Sequence, residues 1–277
     1  MNEILIAVVS VTAVGAVCAA LLSVAAKAMA VRADERGALL EACLPGSNCG
    51  ACGYPGCSGY ASALLSGGDS KPNLCIPGGA AVLRQLSDIL GVEAGDAVKK
   101  AAVVHCRGDC NALQRKMDYK GIQTCMAAKQ VFGGEWACAF GCLGYGDCKL
   151  VCPSDAICMT DDLAHVIKER CTGCGLCVKA CPNRLITVED AAETSFILCK
   201  NIEKGAVARK KCANACIGCR KCARECPAGA ITIEDNLAKI DYEKCTHCQH
   251  CAETCVTSCI QLGIGRAGIP RKTVSVG

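Results

Sequence analysis

CTGCGLCVKACP at 171–182 and CIGCRKCARECP at 216–227 share one spacing, C-x2-C-x2-C-x3-C-P, and CTHCQHCAETC at 245–255 repeats it with Val256 in place of the proline. Three thiolates this close wrap three corners of an iron–sulfur cube, and where a domain holds two such clusters the fourth cysteine of each run ligates the other one. A zinc ribbon needs only C-x2-C pairs, so repeated runs of three or four close cysteines fit it poorly. The crossing rule predicts three ligand sets. Cys216, Cys219 and Cys222 join Cys255; Cys245, Cys248 and Cys251 join Cys226; and Cys171, Cys174 and Cys177 join Cys152.

Around these runs lies a duplication. The cysteines at 125, 138, 142, 148, 152, 171, 174, 177 and 181 recur at 199, 212, 216, 222, 226, 245, 248, 251 and 255, a constant offset of 74. Over 142–181 against 216–255, 16 of 40 positions are identical, which marks two copies of one domain. Each copy has two halves, and in every half an apolar residue (Ile157, Ile186, Ile231, Ile260) stands five positions after the last cysteine, as if a ligand loop led into a short strand. ICMTDDLAHVI and ITIEDNLAKID read as β-hairpins turning at Asp161-Asp162 and Asp235-Asn236.

One site breaks the pattern, because Tyr145 stands where the offset predicts a cysteine. Cys142, Cys148 and Cys181 remain, and Cys138 is the natural fourth ligand. Yet Cys212, its counterpart, accompanies an intact Cys219. Cys138 can equally join Cys106, Cys110 and Cys125 in a further cluster, and spacing does not choose between the two. The cofactor expectation is therefore five [4Fe–4S] clusters, or six with this one. Cys43, Cys158, Cys199, Cys212 and Cys259 read as buried fillers or additional ligands.

Toward the N-terminus, LPGSNCGACGYPGCSGYASALLSGGDSKPNLC at 44–75 carries Cys49, Cys52, Cys57 and Cys75, enough thiolates for one more cubane. Gly50, Gly53 and Gly56 permit the tight turns that bring amides to the sulfurs. Beyond Cys75, Val82, Leu83, Leu86, Ile89 and Leu90 form a helical stripe of the ordinary core-packing kind. Before it, Ile4 to Ala26 run 23 positions without a charge, where about 20 span a bilayer core. No basic segment precedes this stretch, so a membrane anchor is predicted rather than a cleaved leader. Glu3 before it and Lys27, Arg32 and Arg36 after it put the rest of the chain on the cytoplasmic side of a cell membrane.

Composition agrees. Twenty-nine cysteines in 277 residues, an odd number, exclude complete disulfide pairing, and nine aromatic residues are too few for conventional cores. The net charge of +4 does not suggest nucleic-acid binding, and four histidines do not suggest a histidine-rich zinc enzyme. No dinucleotide fingerprint, Walker loop or nucleophile–base pair occurs, so the chain offers no home for NAD or flavin and no catalytic residue. The predicted class is α+β: a single transmembrane helix (1–31), a small helical 4Fe–4S module (32–90), a linker with a cysteine-containing lead-in (91–124), tandem two-cluster ferredoxin domains (125–198 and 199–265) and a tail (266–277).

With these motifs in view, the chain resembles the B subunit of Rnf complexes, the membrane-bound ion-translocating ferredoxin:NAD oxidoreductases. The resemblance rests on the anchor, on NCGACGYPGCSGYA at 48–61, on CAFGCLGYGDCKLVCP at 138–153 and on the CTGC and CIGC motifs beyond. It implies a bacterial or archaeal inner-membrane subunit that exchanges electrons with a soluble ferredoxin and passes them to partner subunits carrying the flavins, the NAD site and the Na+ or H+ path. Lys99, Lys100, Arg209, Lys210 and Lys211 could then steer an acidic ferredoxin, although such charges are usually a solvated face. Two other functions compete: the iron–sulfur relay of a different membrane oxidoreductase, such as a hydrogenase or dehydrogenase, and a structural zinc protein.

Overall fold

A computed structural model describes residues 2–28, 35–67, 71–93 and 99–264, apart from the side chains at 2–4, 7, 10, 11, 26–28 and 35. The tail 266–277, part of the linker, Arg32 and the side chain of Lys27 lie outside that description.

The chain begins with one long helix, α1 (Asn2–Ala28), whose described side chains are all exposed, Leu5, Leu21 and Leu22 among them. Taking the described residues alone, no helix is long and apolar enough to cross a membrane. Three helices follow, α2 (Glu35–Cys43), α3 (Cys57–Leu65) and α4 (Gly79–Leu90), with a 3-10 turn at Pro72–Leu74. They bury Leu40, Leu44, Tyr60, Leu64 and Leu86 against one another. The apolar stripe of α4 thus goes into a core, with Leu86 fully enclosed and Val82, Ile89 and Leu90 at its margin. Tyr60 ties the loop bearing Cys75 to this core, its hydroxyl donating to Lys71 O at 2.5 Å and accepting from Leu74 N at 3.3 Å.

The stretch expected to be linker contains a strand, β1 (Lys100–Val104), built from the apolar run AAVV. After α5 (Cys125–Gln130) the first repeat follows the order α6 (Asp147–Leu150), β2 (Ile157–Thr160), β3 (Leu163–Val166), α7 (Leu176–Ala180), β4 (Ile186–Asp190). The second runs β5 (Ser195–Ile197), α8 (Gly205–Lys211), α9 (Lys221–Arg224), β6 (Ile231–Glu234), β7 (Leu237–Ile240), α10 (His250–Glu253), β8 (Ile260–Leu262). The four isoleucines marked in the sequence are the first residues of β2, β4, β6 and β8.

Each repeat has a hairpin and a two-stranded terminal sheet. β2 pairs with β3 from Ile157↔Val166 to Thr160↔Leu163, and β6 with β7 from Ile231↔Ile240 to Glu234↔Leu237. Both turns use two consecutive residues at positive φ, Asp161 and Asp162 (53° and 58°) and Asp235 and Asn236 (49° and 62°), the geometry that matches strand twist in a two-residue loop. β1 lies antiparallel to β4 from Lys100↔Asp190 to Val104↔Ile186, and β5 antiparallel to β8 from Ser195↔Leu262 to Ile197↔Ile260. Phe196, on β5, is fully buried in a core made mostly of first-repeat residues, so the two domains share an interior. The N-terminal module sits against the first repeat, where Lys179 Nζ donates to Cys49 O at 3.4 Å and Gly173 approaches Ile76.

Candidate iron–sulfur sites

The ligand loops take their shape from backbone conformation. In each run the residues four and two places before the third cysteine are left-handed: Gly144 and Gly146, Gly173 and Gly175, Gly218 and Arg220, His247 and Gln249. The second of each pair starts a short helix that carries the third cysteine, Cys148, Cys177, Cys222 or Cys251, inward to a buried position. Glycine is required at 218, where the φ is 62° and a Cβ would stand 2.8 Å from Asn236 O.

Three cavities are each walled by four cysteines. Cys152, Cys171, Cys174 and Cys177 line one, the set the crossing rule groups. Cys125, Cys142, Cys148 and Cys181 line a second. Cys106, Cys138, Cys199 and Cys212 line a third. In the second repeat Cys222 has Cys216, Cys255 and Cys219 as its thiol neighbours, while Cys251 has Cys245 and Cys248, with Cys226 in the same core. In the N-terminal module Cys75 faces Cys57, Cys52 and Cys49. Among the described residues no three His, Cys, Asp or Glu side chains converge as ligands of a single ion would. The thiols face one another across cavities instead.

The grouping departs from the spacing-based expectation at the Tyr145 site. Cys138 is not the thiol that faces Cys142, Cys148 and Cys181; Cys125 is. Tyr145 points elsewhere, its hydroxyl donating to Glu135 Oε1 at 3.3 Å and its ring against Tyr119. Asp147 holds the start of α5 beside the site by accepting from Cys125 N and Met126 N at 2.9 and 3.0 Å. Nor do Cys106, Cys110, Cys125 and Cys138 form a set, since Cys110 lines none of the three cavities. Cys199 and Cys212 face Cys106 and Cys138 in their place, a combination that offset arithmetic hides. The apolar runs AVVHC at 102–106 and SFILC at 195–199 were the available signal, each a strand ending just before a cysteine. Cys158 donates to His165 O at 3.7 Å, and Cys43 packs in the N-terminal core.

Burial pushes several of these thiols up. Cys148 reaches about 12, first through desolvation and then through Cys142, Cys125 and Cys181. Cys177 reaches about 12 for the same reasons, with Cys171 and Cys174 as its main neighbours. Cys212 rises to about 11, again chiefly by burial. Such thiols become thiolates only beside a positive centre, and iron supplies that charge while displacing the protons. Amides already point at the sulfurs: Ala102 N to Cys171 at 3.3 Å, Ala156 N to Cys152 at 3.3 Å, Cys142 N to Cys106 at 3.4 Å and Cys216 N to Cys199 at 3.4 Å. Four thiols, enclosing walls and amide donors fit a [4Fe–4S] cluster.

A ferredoxin-type iron–sulfur electron carrier is the class that this fold and these sites define. The family models "Putative Fe-S cluster", "4Fe-4S binding domain" and "4Fe-4S dicluster domain" match residues 44–77, 164–187 and 215–259. The chain is 43% identical to the B subunit of the Na(+)-translocating ferredoxin:NAD(+) oxidoreductase complex of Acetobacterium woodii, over 94% of this chain and 78% of that one. It is 36% identical to the B subunit of the proton-translocating ferredoxin:NAD(+) oxidoreductase complex of Clostridium ljungdahlii, over 94% and 91%. Against the B subunit of the ion-translocating oxidoreductase complex of Methanosarcina acetivorans the identity is 36%, over 95% and 100%. The chain belongs to the family of B subunits of ion-translocating ferredoxin:NAD oxidoreductase complexes, the Rnf B subunits.

Proposed function

We propose that this chain is the electron-relay subunit of an ion-translocating ferredoxin:NAD oxidoreductase complex and that it holds six [4Fe–4S] clusters. Bound at these sites, each cluster would take up and release one electron at a time. The chain's own part is to hold the sites close together. The observation that carries the reading is the site of Cys106, Cys138, Cys199 and Cys212. Two of its thiols come from the strand ends of β1 and β5, and two from the segments leading into the ligand runs. The amides of Cys142 and Cys216, themselves site residues of the two ferredoxin domains, donate to its sulfurs. This site therefore bridges the repeats, and without it the duplicated domains would be separate two-site units.

At the other end, the contact of Lys179 with Cys49 O puts the N-terminal module beside the first repeat. The sites thus form a series from the second repeat to the module nearest α1. The anchor is placed at α1 on the sequence, because the uncharged stretch Ile4–Ala26 lies within it and about 20 such residues span a bilayer core; five side chains of that stretch, at 4, 7, 10, 11 and 26, lie outside the residues among which no membrane-crossing helix is found. The remainder then lies on the cytoplasmic side, with other subunits of the complex as partners. Arg209 and Lys210, exposed in the last turn of α8 beside Cys212, and Lys99 are available to an acidic ferredoxin, whereas Lys211 is occupied by Glu203. Ion translocation belongs to the assembly.

The test is rapid mixing of the anaerobic chain with reduced ferredoxin, following cluster reduction by absorbance and by electron paramagnetic resonance. The relay predicts that the wild-type chain is reduced throughout and that C212A leaves one repeat oxidised on the same timescale. Equal reduction of both repeats in C212A would contradict it.

A further inference from the structure

Four positions in this chain stand four residues beyond the last cysteine of a ligand run: Ala156, Leu185, Ala230 and Cys259. All are buried, with exposures of 1, 2, 1 and 2%. The backbone of this slot serves the cluster site, since Ala156 N donates to Cys152 Sγ at 3.3 Å and Leu185 N to Cys181 Sγ at 3.4 Å. The side chain of the slot therefore packs beside a ligand sulfur. Three of the four occupants are aliphatic. Cys259 alone among them carries a proton that it can share.

Its Sγ lies 3.7 Å from Cys255 Sγ, within hydrogen-bond reach, and Cys216 packs in the same core. Those two residues belong to one site, together with Cys219 and Cys222, so that site has its four thiols without Cys259. A fifth thiol held among its sulfurs, away from water, is placed as a donor. The corresponding site of the first repeat, formed by Cys125, Cys142, Cys148 and Cys181, has Leu185 in the slot, and Leu185 lines its cavity.

We propose that Cys259 is a positioning residue whose S–H donates to the cluster-bound sulfur of Cys255, holding this site at a higher reduction potential than its Leu185-bearing counterpart. The inference rests on ligation of the cluster by Cys216, Cys219, Cys222 and Cys255. One-electron reduction adds negative charge to the cluster and its sulfurs, and a hydrogen bond to sulfur favours the reduced form. No bond is made or broken in that step, and the proton stays on Cys259 Sγ. The duplicated domain thereby acquires two unequal halves from one substitution in an otherwise aliphatic slot.

The experiment is an anaerobic redox titration of the full iron-loaded chain, followed by electron paramagnetic resonance, for wild type, C259A, C259L and C259S. Alanine and leucine are the residues the other slots carry, and serine keeps a donor. The expected result is unchanged iron in every variant, one titration wave moved to lower potential in C259A and C259L, and that wave left nearer its wild-type place in C259S. Superimposable titrations of all four would overturn the donor role. Loss of about four iron atoms in C259A, with C255A retaining its iron, would overturn it differently by making Cys259 the ligand. A chain that keeps its full iron when Cys219 and Cys222 are replaced would instead defeat the ligand assignment beneath it.

Discussion

Cys106 and Cys199 occupy equivalent places in the two halves of the molecule. Each stands two residues beyond the end of a strand, β1 or β5, and each accepts an amide N–H at 3.4 Å, from Cys142 and Cys216 respectively. Cys142 and Cys216 are 74 residues apart, but Cys106 and Cys199 are 93 apart. The first repeat therefore carries 19 additional residues between its strand and Cys138, and Cys125 lies among them. The insertion brings a thiol to the site where Tyr145 has replaced the repeat's own cysteine.

This relationship predicts how iron responds to single substitutions. C125A and C138A should each lose about four iron atoms, but from different sites. Introducing Y145C into C125A returns a cysteine to the position that Cys219 holds in the second repeat, and should restore the iron. The same Y145C change in C138A should restore none. Iron analysis of the four variants checks it, and rescue of C138A would reinstate Cys138 as the fourth thiol beside Cys142.

Acid should loosen the bridging site through Glu203. Asn201 donates to Cys138 Sγ at 3.7 Å and to Glu203 Oε2 at 3.2 Å, and Lys211 hydrogen-bonds Glu203 Oε1. That lysine bond holds the Glu203 carboxyl below its ordinary range. A carboxyl with a depressed pKa stabilises the fold above its unfolded value, and the contribution disappears as pH falls through the folded value. E203Q should thus release iron faster than wild type at neutral pH, with the two rates converging only as pH falls below the ordinary carboxylate range. For a partly exposed ion pair the difference should be about 1 kcal/mol and shrink in high salt. Iron-release kinetics across pH and ionic strength would show it; pH-independent parity of the two proteins would refute it.

Gly56 controls the N-terminal site. Its φ is 92°, and a Cβ there would stand 2.8 Å from Asn48 Oδ1, the atom that accepts Cys57 N at 2.7 Å. G56A should destabilise the module by roughly 1–3 kcal/mol and lose the cluster of Cys49, Cys52, Cys57 and Cys75 while sparing the others. Thermal melting combined with iron analysis would reveal whether the loss is local.

Removing residues 1–31 should move the chain from the membrane fraction to the soluble one without loss of iron, because none of the proposed ligands lies in that segment. A truncated chain that stays with the membranes would contradict the proposal that α1 is the anchor.

Much of this organisation could be read from spacing. The ligand runs, the hairpin turns at 161–162 and 235–236 and the four strand starts follow from local chemistry, because a cubane and a two-residue turn each demand fixed residue types at fixed distances. What spacing could not show was contact between distant segments. Cys106 and Cys199 meet only because β1 returns to β4 and β5 to β8, and Phe196 fuses the two domains through a shared core. A constant offset of 74 paired Cys125 with Cys199, although the strands place Cys106 in that role. The strand at 100–104 is not legible in the sequence, because five residues of Lys, Ala and Val beside a glycine-containing, charged stretch give little periodicity.

The most direct test of six sites in this partition is the iron and acid-labile sulfide content of the anaerobically purified full chain. The account predicts about 24 of each per chain, six cubanes on 24 of the 29 cysteines. About 20 would contradict the bridging site of Cys106, Cys138, Cys199 and Cys212, and zinc with little iron would contradict the electron-relay reading altogether.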